Sequence, residues 1–151
     1  MIVLNTASLG EIEISEEQLI AFNEGIPGFE EDRRFVILPV DPELPFAYLQ
    51  SADDERIHFV VVDPFSMYKP YEFHIDEETQ TELGIESEKD VEVWCVVTIQ
   101  QSLEKATVNL LAPIIINSNH RTGKQMVLHQ SQYHTRHLIS DLVHQTEKEK
   151  G

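Results

Sequence analysis

One cysteine, Cys95, stands in a chain of 151 residues. An internal disulfide is therefore excluded, and so is a zinc site built from four thiolates. No apolar run approaches the roughly 20 residues that a membrane-spanning helix needs. The opening residues, Met1 to Gly10, have neither a basic start nor an apolar stretch of about seven residues, so no signal peptide is expected there. With six glycines and seven prolines, the chain is neither collagen-like nor of low complexity. Bases are scarce. Eleven Lys and Arg stand against 27 Asp and Glu, for a formal charge of −16. Such a field repels phosphate backbones, which disfavours direct nucleic-acid binding. The expectation is a cytoplasmic protein that contacts neither membrane nor nucleic acid directly.

What is present suits one ordinary core. Hydrophobic residues make up 41% and charged residues 25%, as in soluble globular domains. The charge is uneven. Residues 1–118 carry 24 acids and 6 bases, a net of −18, whereas residues 119–151 carry 3 acids and 5 bases, a net of +2. Five of the seven histidines also fall in that last stretch. An acidic surface of this kind serves solubility or docks a basic partner, and composition does not choose between them.

The patterning is that of short strands. Gly10 to Ile14 alternates apolar and charged residues, as a half-buried strand does. Runs at 35–38, 46–49, 57–62, 91–99, 107–111, 114–117 and 125–128 are β-branched or aromatic and end in turn residues. A spacing of about ten residues favours an antiparallel sandwich or barrel over βαβ units. Asp76 to Gly84 reads as a short helix, with an N-cap Asp, acids in the first turn and a closing Gly. Ser15-Glu-Glu-Gln18 resembles a capping box ahead of Phe22. Leu138, Ile139, Leu142 and Val143 recur at helical spacing in the tail. The fold expected is mainly β: a small antiparallel, barrel-like domain over 1–137 with one or two short helices, then a helical extension over 138–151.

The chemistry-bearing residues give little to an enzyme. Cys95 lies in Val93-Trp-Cys-Val-Val97, too apolar a run to favour a thiolate, and reads as buried filler. Asp53-Asp54-Glu55 reads as a polar turn rather than an acid–base pair. His129, His134 and His137 invite a metal reading, but Gln130 to His134 does not read as helix and no acid is well placed as a further ligand. Gly25-Ile-Pro-Gly28 lacks the spacing of a phosphate cradle. It suits a type II turn instead, with Pro27 fixing φ, Gly28 taking φ > 0 and Phe29 pinning the turn to the core. No catalytic residue, cofactor or metal is expected.

Several motifs together carry a resemblance. They are Gly25-Ile-Pro-Gly-Phe-Glu30, Phe46-Ala-Tyr-Leu-Gln50, Val62-Asp-Pro-Phe65, Tyr71-Glu-Phe73, Leu83-Gly-Ile85, Val97-Thr-Ile99, the run from Val108 to Asn117, Gly123-Lys-Gln125 and Tyr133-His-Thr-Arg-His137. In this order and spacing, over about residues 10–137, the chain resembles the flagellar assembly factor FliW family. The resemblance implies a barrel-like, non-enzymatic protein that acts by exchanging partners. Such proteins bind flagellin before export. Once released, they bind the translational repressor CsrA and relieve its silencing of flagellin mRNA, so the two partners exclude one another.

Within the motifs, Pro27, Gly28, Asn109 and Pro113 look like turn or strand-end residues, and Val108, Leu110 and Ile114 look like core. The partner-binding candidates are the aromatics Phe65, Tyr68 and Tyr71 with the acids Asp63 and Glu72, because aromatics in a polar segment make credible hot spots. The tail adds Arg136, Leu138, Ile139, Leu142 and Val143. Its stripe is expected to rest on a partner slightly more than on its own barrel. A small-molecule-binding β-barrel and an enzyme using the C-terminal histidines stay open as other readings.

Overall fold

In the computed structural model, residues 1–129 and 131–150 are described, with Leu103 and residues 145–150 described by their backbone alone. Eleven strands run β1 Ile2–Thr6, β2 Gly10–Ile14, β3 Ile20–Ala21, β4 Arg34–Pro39, β5 Phe46–Ser51, β6 His58–Val62, β7 Val91–Thr98, β8 Thr107–Val108, β9 Ile114–Asn117, β10 Thr122–Gln125 and β11 His137–Leu138. Three α-helices are α1 Pro64–Met67, α2 Glu77–Leu83 and α3 Ile139–Lys150.

Seven of the strands close a barrel. The ladder β7-β6-β5-β4-β3-β10-β9 returns to its start because β9 also pairs with β7, Trp94 lying opposite Ile114. Among the described residues, every strand pairing is antiparallel except that of β10 with β3. The edge of β7 is shared: Val91–Trp94 bind β9, while Val97 and Thr98 bind β8, which in turn carries β11. The expected antiparallel barrel is therefore present, with a small flap of two short strands attached.

Period-two alternation sorts the side chains into layers. Ile20, Phe35, Leu49, Val61, Ile114 and Ile116 point inward and are fully buried. Phe22 and Phe35 meet edge to face at 5.1 Å among them. Gly123 makes room for this packing, since a Cβ there would lie 2.7 Å from the Phe22 ring. Among the described residues, nine buried side chains pack together in this layer. On the outer face, Val62, Cys95, Val97 and Ile115 form the floor of a second apolar layer, roofed by Met67, Tyr71, Leu83, Leu128 and Leu142. The β1–β2 hairpin covers Val36 and Leu38 with Leu4 and Ile14 to make a third.

Local reading succeeds where the local signal is complete. The Gly25–Phe29 segment is the expected turn: Gly28 has φ +89°, the Phe29 amide donates to the Ile26 carbonyl at 2.6 Å, and Phe29 packs edge to face on Phe59. Asp76 caps α2 by accepting from the Thr79 amide at 2.7 Å. Gln18 Oε1 accepts from the Ser15 amide at the head of a single 3-10 turn over Glu16–Gln18.

Two strand expectations need correction. The strand expected over 107–111 stops at Val108, because the Asn109 carboxamide accepts from the amides of Leu111 and Ala112 and turns the chain. The strand expected over 125–128 is moved to Thr122–Gln125, where the antiparallel partner β9 lies. The boundary expected between 137 and 138 falls inside β11.

Candidate functional site

The candidate residues gather on the flank that the second apolar layer covers. Asp63 stands at the N-cap of α1, accepting from the Phe65 amide at 3.0 Å and from the Ser66 hydroxyl at 3.1 Å. With Pro64 fixed at the first helical position, one turn forms that sends Met67 inward and leaves Phe65 42% exposed. Asp63 thus orients a hydrophobic side chain at the surface.

Tyr71 does not have the exposure expected of it. It is 2% exposed, and its hydroxyl donates to the Leu110 carbonyl at 2.8 Å. Burial, then the neighbouring Cys95, pushes its phenol far above the ordinary value. Phe65 leans on the Tyr71 ring at 5.7 Å, Phe73 at 5.3 Å and Tyr133 edge to face at 4.8 Å. Each such pair contributes about 0.5–1.5 kcal/mol beyond its area. A residue taken as a partner contact is the hub of an aromatic cluster, because the 63–73 segment folds back on the barrel it leaves. Exposed Glu72 offers its backbone amide to the Tyr133 hydroxyl at 3.2 Å, which ties the two segments a second time.

The segment after Tyr133 lies alongside. The His134 carbonyl accepts from the amides of Leu110 and Leu111, both at 3.2 Å, so the Asn109 turn is gripped from both sides. The His134 amide donates to His137 Nε2 at 3.0 Å, and the two imidazoles stack at 3.6 Å. Burial, and then His134, lowers the His137 pKa. His129 lines a different cleft with Glu72 and Asp76, so the three histidines do not converge.

Leu138 then pairs with Thr107 in β11, and α3 begins. The apolar stripe of the tail is divided. Leu142 is 4% exposed and belongs to the outer apolar layer, with Ile139 packed against it, while Leu138 and Val143 are 40% and 39% exposed. The tail therefore rests on its own barrel through Leu142, contrary to the expectation that it adds little to the core. Lys148 and Lys150, expected near the helix C-terminus, lie outside the described side chains.

These pieces enclose a cleft of about 450 Å³. Tyr68, Arg136, Leu138 and Leu142 line it together, and Tyr133, His134, His137 and Asp141 join them. Phe65 lines a separate groove, which shares no lining residue with this cleft. Of the residues missing from the expected set, Tyr133, His134 and His137 had a usable signal: they stand in one of the motifs that carried the resemblance.

Nucleophile and acid–base readings find little here. Burial pushes the Cys95 thiol up to about 12, so the thiolate is scarce. Asp53 binds the amides of Arg33 and Arg34 and the Arg34 guanidinium, and these outweigh burial to hold its carboxyl below the usual value. Asp54 pairs with Arg56 at 3.0 Å, and Glu55 accepts from the Asn5 amide. The acidic run is a turn that ties β4 and the hairpin together. Among the described residues, the flank presents the exposed side chains of Phe65, Leu138 and Val143 beside Arg136, Glu72 and Asp141.

The family described as FliW protein matches residues 3–139. The flagellar assembly factor FliW of Bacillus subtilis (strain 168) is 47% identical over 137 residues, covering 91% of this chain and 96% of that one. The flagellar assembly factor FliW of Alkaliphilus metalliredigens (strain QYMF) is 34% identical over 150 residues, covering 99% and 93%, so that likeness runs into the tail. A crystal structure of the flagellar assembly factor FliW superposes with a TM-score of 0.85 at 38% identity, covering 91% of this chain and 96% of that one.

Proposed function

Because this chain belongs to the FliW family of flagellar assembly factors, we propose that it works in the cytoplasm without catalysis, as a partner switch between flagellin and CsrA. It holds flagellin until export and, once released, binds CsrA and relieves repression of flagellin mRNA. The observation that carries the reading is family membership over nearly the whole chain, and the physics of the surface supports it. A net of −18 over residues 1–118 steers the protein toward a basic RNA-binding partner and makes RNA binding to that same partner less favourable. The cleft of Tyr68, Arg136 and Leu138 offers aromatic, cationic and apolar groups side by side, the composition of a hot spot.

The test is to mix purified protein, flagellin and CsrA and separate the complexes by size. Two binary complexes and no ternary one are expected, with Arg136→Glu weakening at least one of them. A stable ternary complex removes the exclusion, and absence of both binary complexes removes the reading.

A further inference from the structure

A groove of about 460 Å³, sharing no lining residue with the Arg136 cleft, opens beside Phe65. Its floor is apolar. Phe73, Ile75, Ile85, Val91 and Val93 are each half-buried, resting on the outer apolar layer with one side open, and Phe65 forms one wall. Its rim is acidic. Glu86 and Glu88 line it directly, and residues 76–90 hold seven acids against one base, Lys89.

The acids differ in their commitments. Asp76 caps α2, Asp90 accepts from the Asn119 side chain, and Glu82 pairs with Lys124 at 2.8 Å. Glu77, Glu78, Glu86 and Glu88 have no ion-pair partner among the described residues. A face that served solubility alone would not surround a half-open apolar floor, because that floor gains only when something apolar leaves water against it. The unpaired carboxylates determine the sign of what does so.

We infer that this groove is a docking site for an amphipathic segment of another protein, one that sets apolar side chains on the floor and Lys or Arg against the Glu86–Glu88 rim. Helix-in-groove recognition has this composition: a few apolar anchors at helical spacing, flanked by charges complementary to the rim. The surface is separate from the Tyr68–Arg136 cleft, and the inference does not depend on which protein supplies the segment.

The test uses a fluorescein-labelled 14-residue amphipathic peptide of Leu and Lys, titrated with the full chain and read by anisotropy. Two groove variants, Phe65→Ser and the double variant E86K/E88K, are compared with E11K/E13K. That control makes the same charge change on the exposed face of β2. All are checked for folding by thermal melting. Binding to the unmodified protein is expected, at least tenfold weaker in both groove variants and within threefold in the hairpin control. No binding to the unmodified protein overturns the inference. So do groove variants that weaken no more than the control, because attraction would then be a matter of net charge alone.

Discussion

The Tyr71 hydroxyl reaches across 39 positions of sequence to donate to the Leu110 carbonyl at 2.8 Å. The amide of that same Leu110 is held by the His134 carbonyl at 3.2 Å. One residue thus fastens three segments that the sequence places far apart: the stretch after β6, the Asn109 turn and the chain entering β11. Tyr71→Phe keeps the ring and removes the donor, which leaves a buried carbonyl unpaired. The expected cost is about 1–3 kcal/mol, a Tm fall of a few degrees to about 10 °C for a domain of this size. Calorimetry measures it, and an unchanged Tm would mean that water replaces the hydroxyl.

The tail separates stability from recognition residue by residue. Leu142→Ala empties a buried site and is expected to cost about 2–5 kcal/mol. Val143→Ser and Leu138→Ser act on exposed side chains, and each should change stability by no more than about 0.5 kcal/mol. Truncation after His137 should therefore lower the Tm markedly. Denaturant melts of these four variants and the full chain check the ranking, and a truncated chain as stable as the full one would refute it.

The pH dependence carries the signature of His137. Its folded pKa is lowered from 6.5, so the unfolded chain takes up the proton first as pH falls. The contribution is whole above about pH 6.5 and is lost as pH falls from there through the folded value. Protonation also turns Nε2 into a donor facing the His134 amide, itself a donor. Asp53, Asp54 and Asp76 have lowered pKa values too, but their contributions are lost in a more acid window, below the ordinary carboxylate value. His137→Gln, with a carbonyl able to accept from the same amide, should flatten the upper step and leave the acid one. Urea melts from pH 8 to 3 test this, and an upper step surviving in the variant would assign it elsewhere.

Electrostatic steering sets a kinetic expectation. The association rate with CsrA should fall steeply as salt rises past physiological strength, while dissociation changes less. Stopped-flow measurements distinguish this from a surface that serves solubility alone, for which the rate would be flat. The protein by itself should show no RNA binding in the same buffers.

Wherever the deciding interaction spans a few residues, the sequence determined the outcome. Pro27 and Gly28 specified their turn, Asp76 its helix, and the alternation in Gly10–Ile14 its strand, because a cap, a fixed φ or a period of two is written in adjacent positions. The order and spacing of the motifs likewise located the family, since they span most of the chain.

Closure was left to the tertiary structure. Ile20–Ala21 and Thr107–Val108 are strands because neighbours present an open edge, and two residues carry no period of their own. The pairing of β7 with β9, which turns a sheet into a barrel, joins residues about twenty positions apart and has no local signature. For the same reason Tyr71 and Leu142 read as free to meet a partner until the barrel wall behind them was in place. An apolar side chain on a short amphipathic segment is written identically whether it will cover its own core or another protein's, and only the surface that comes to lie opposite it makes the choice.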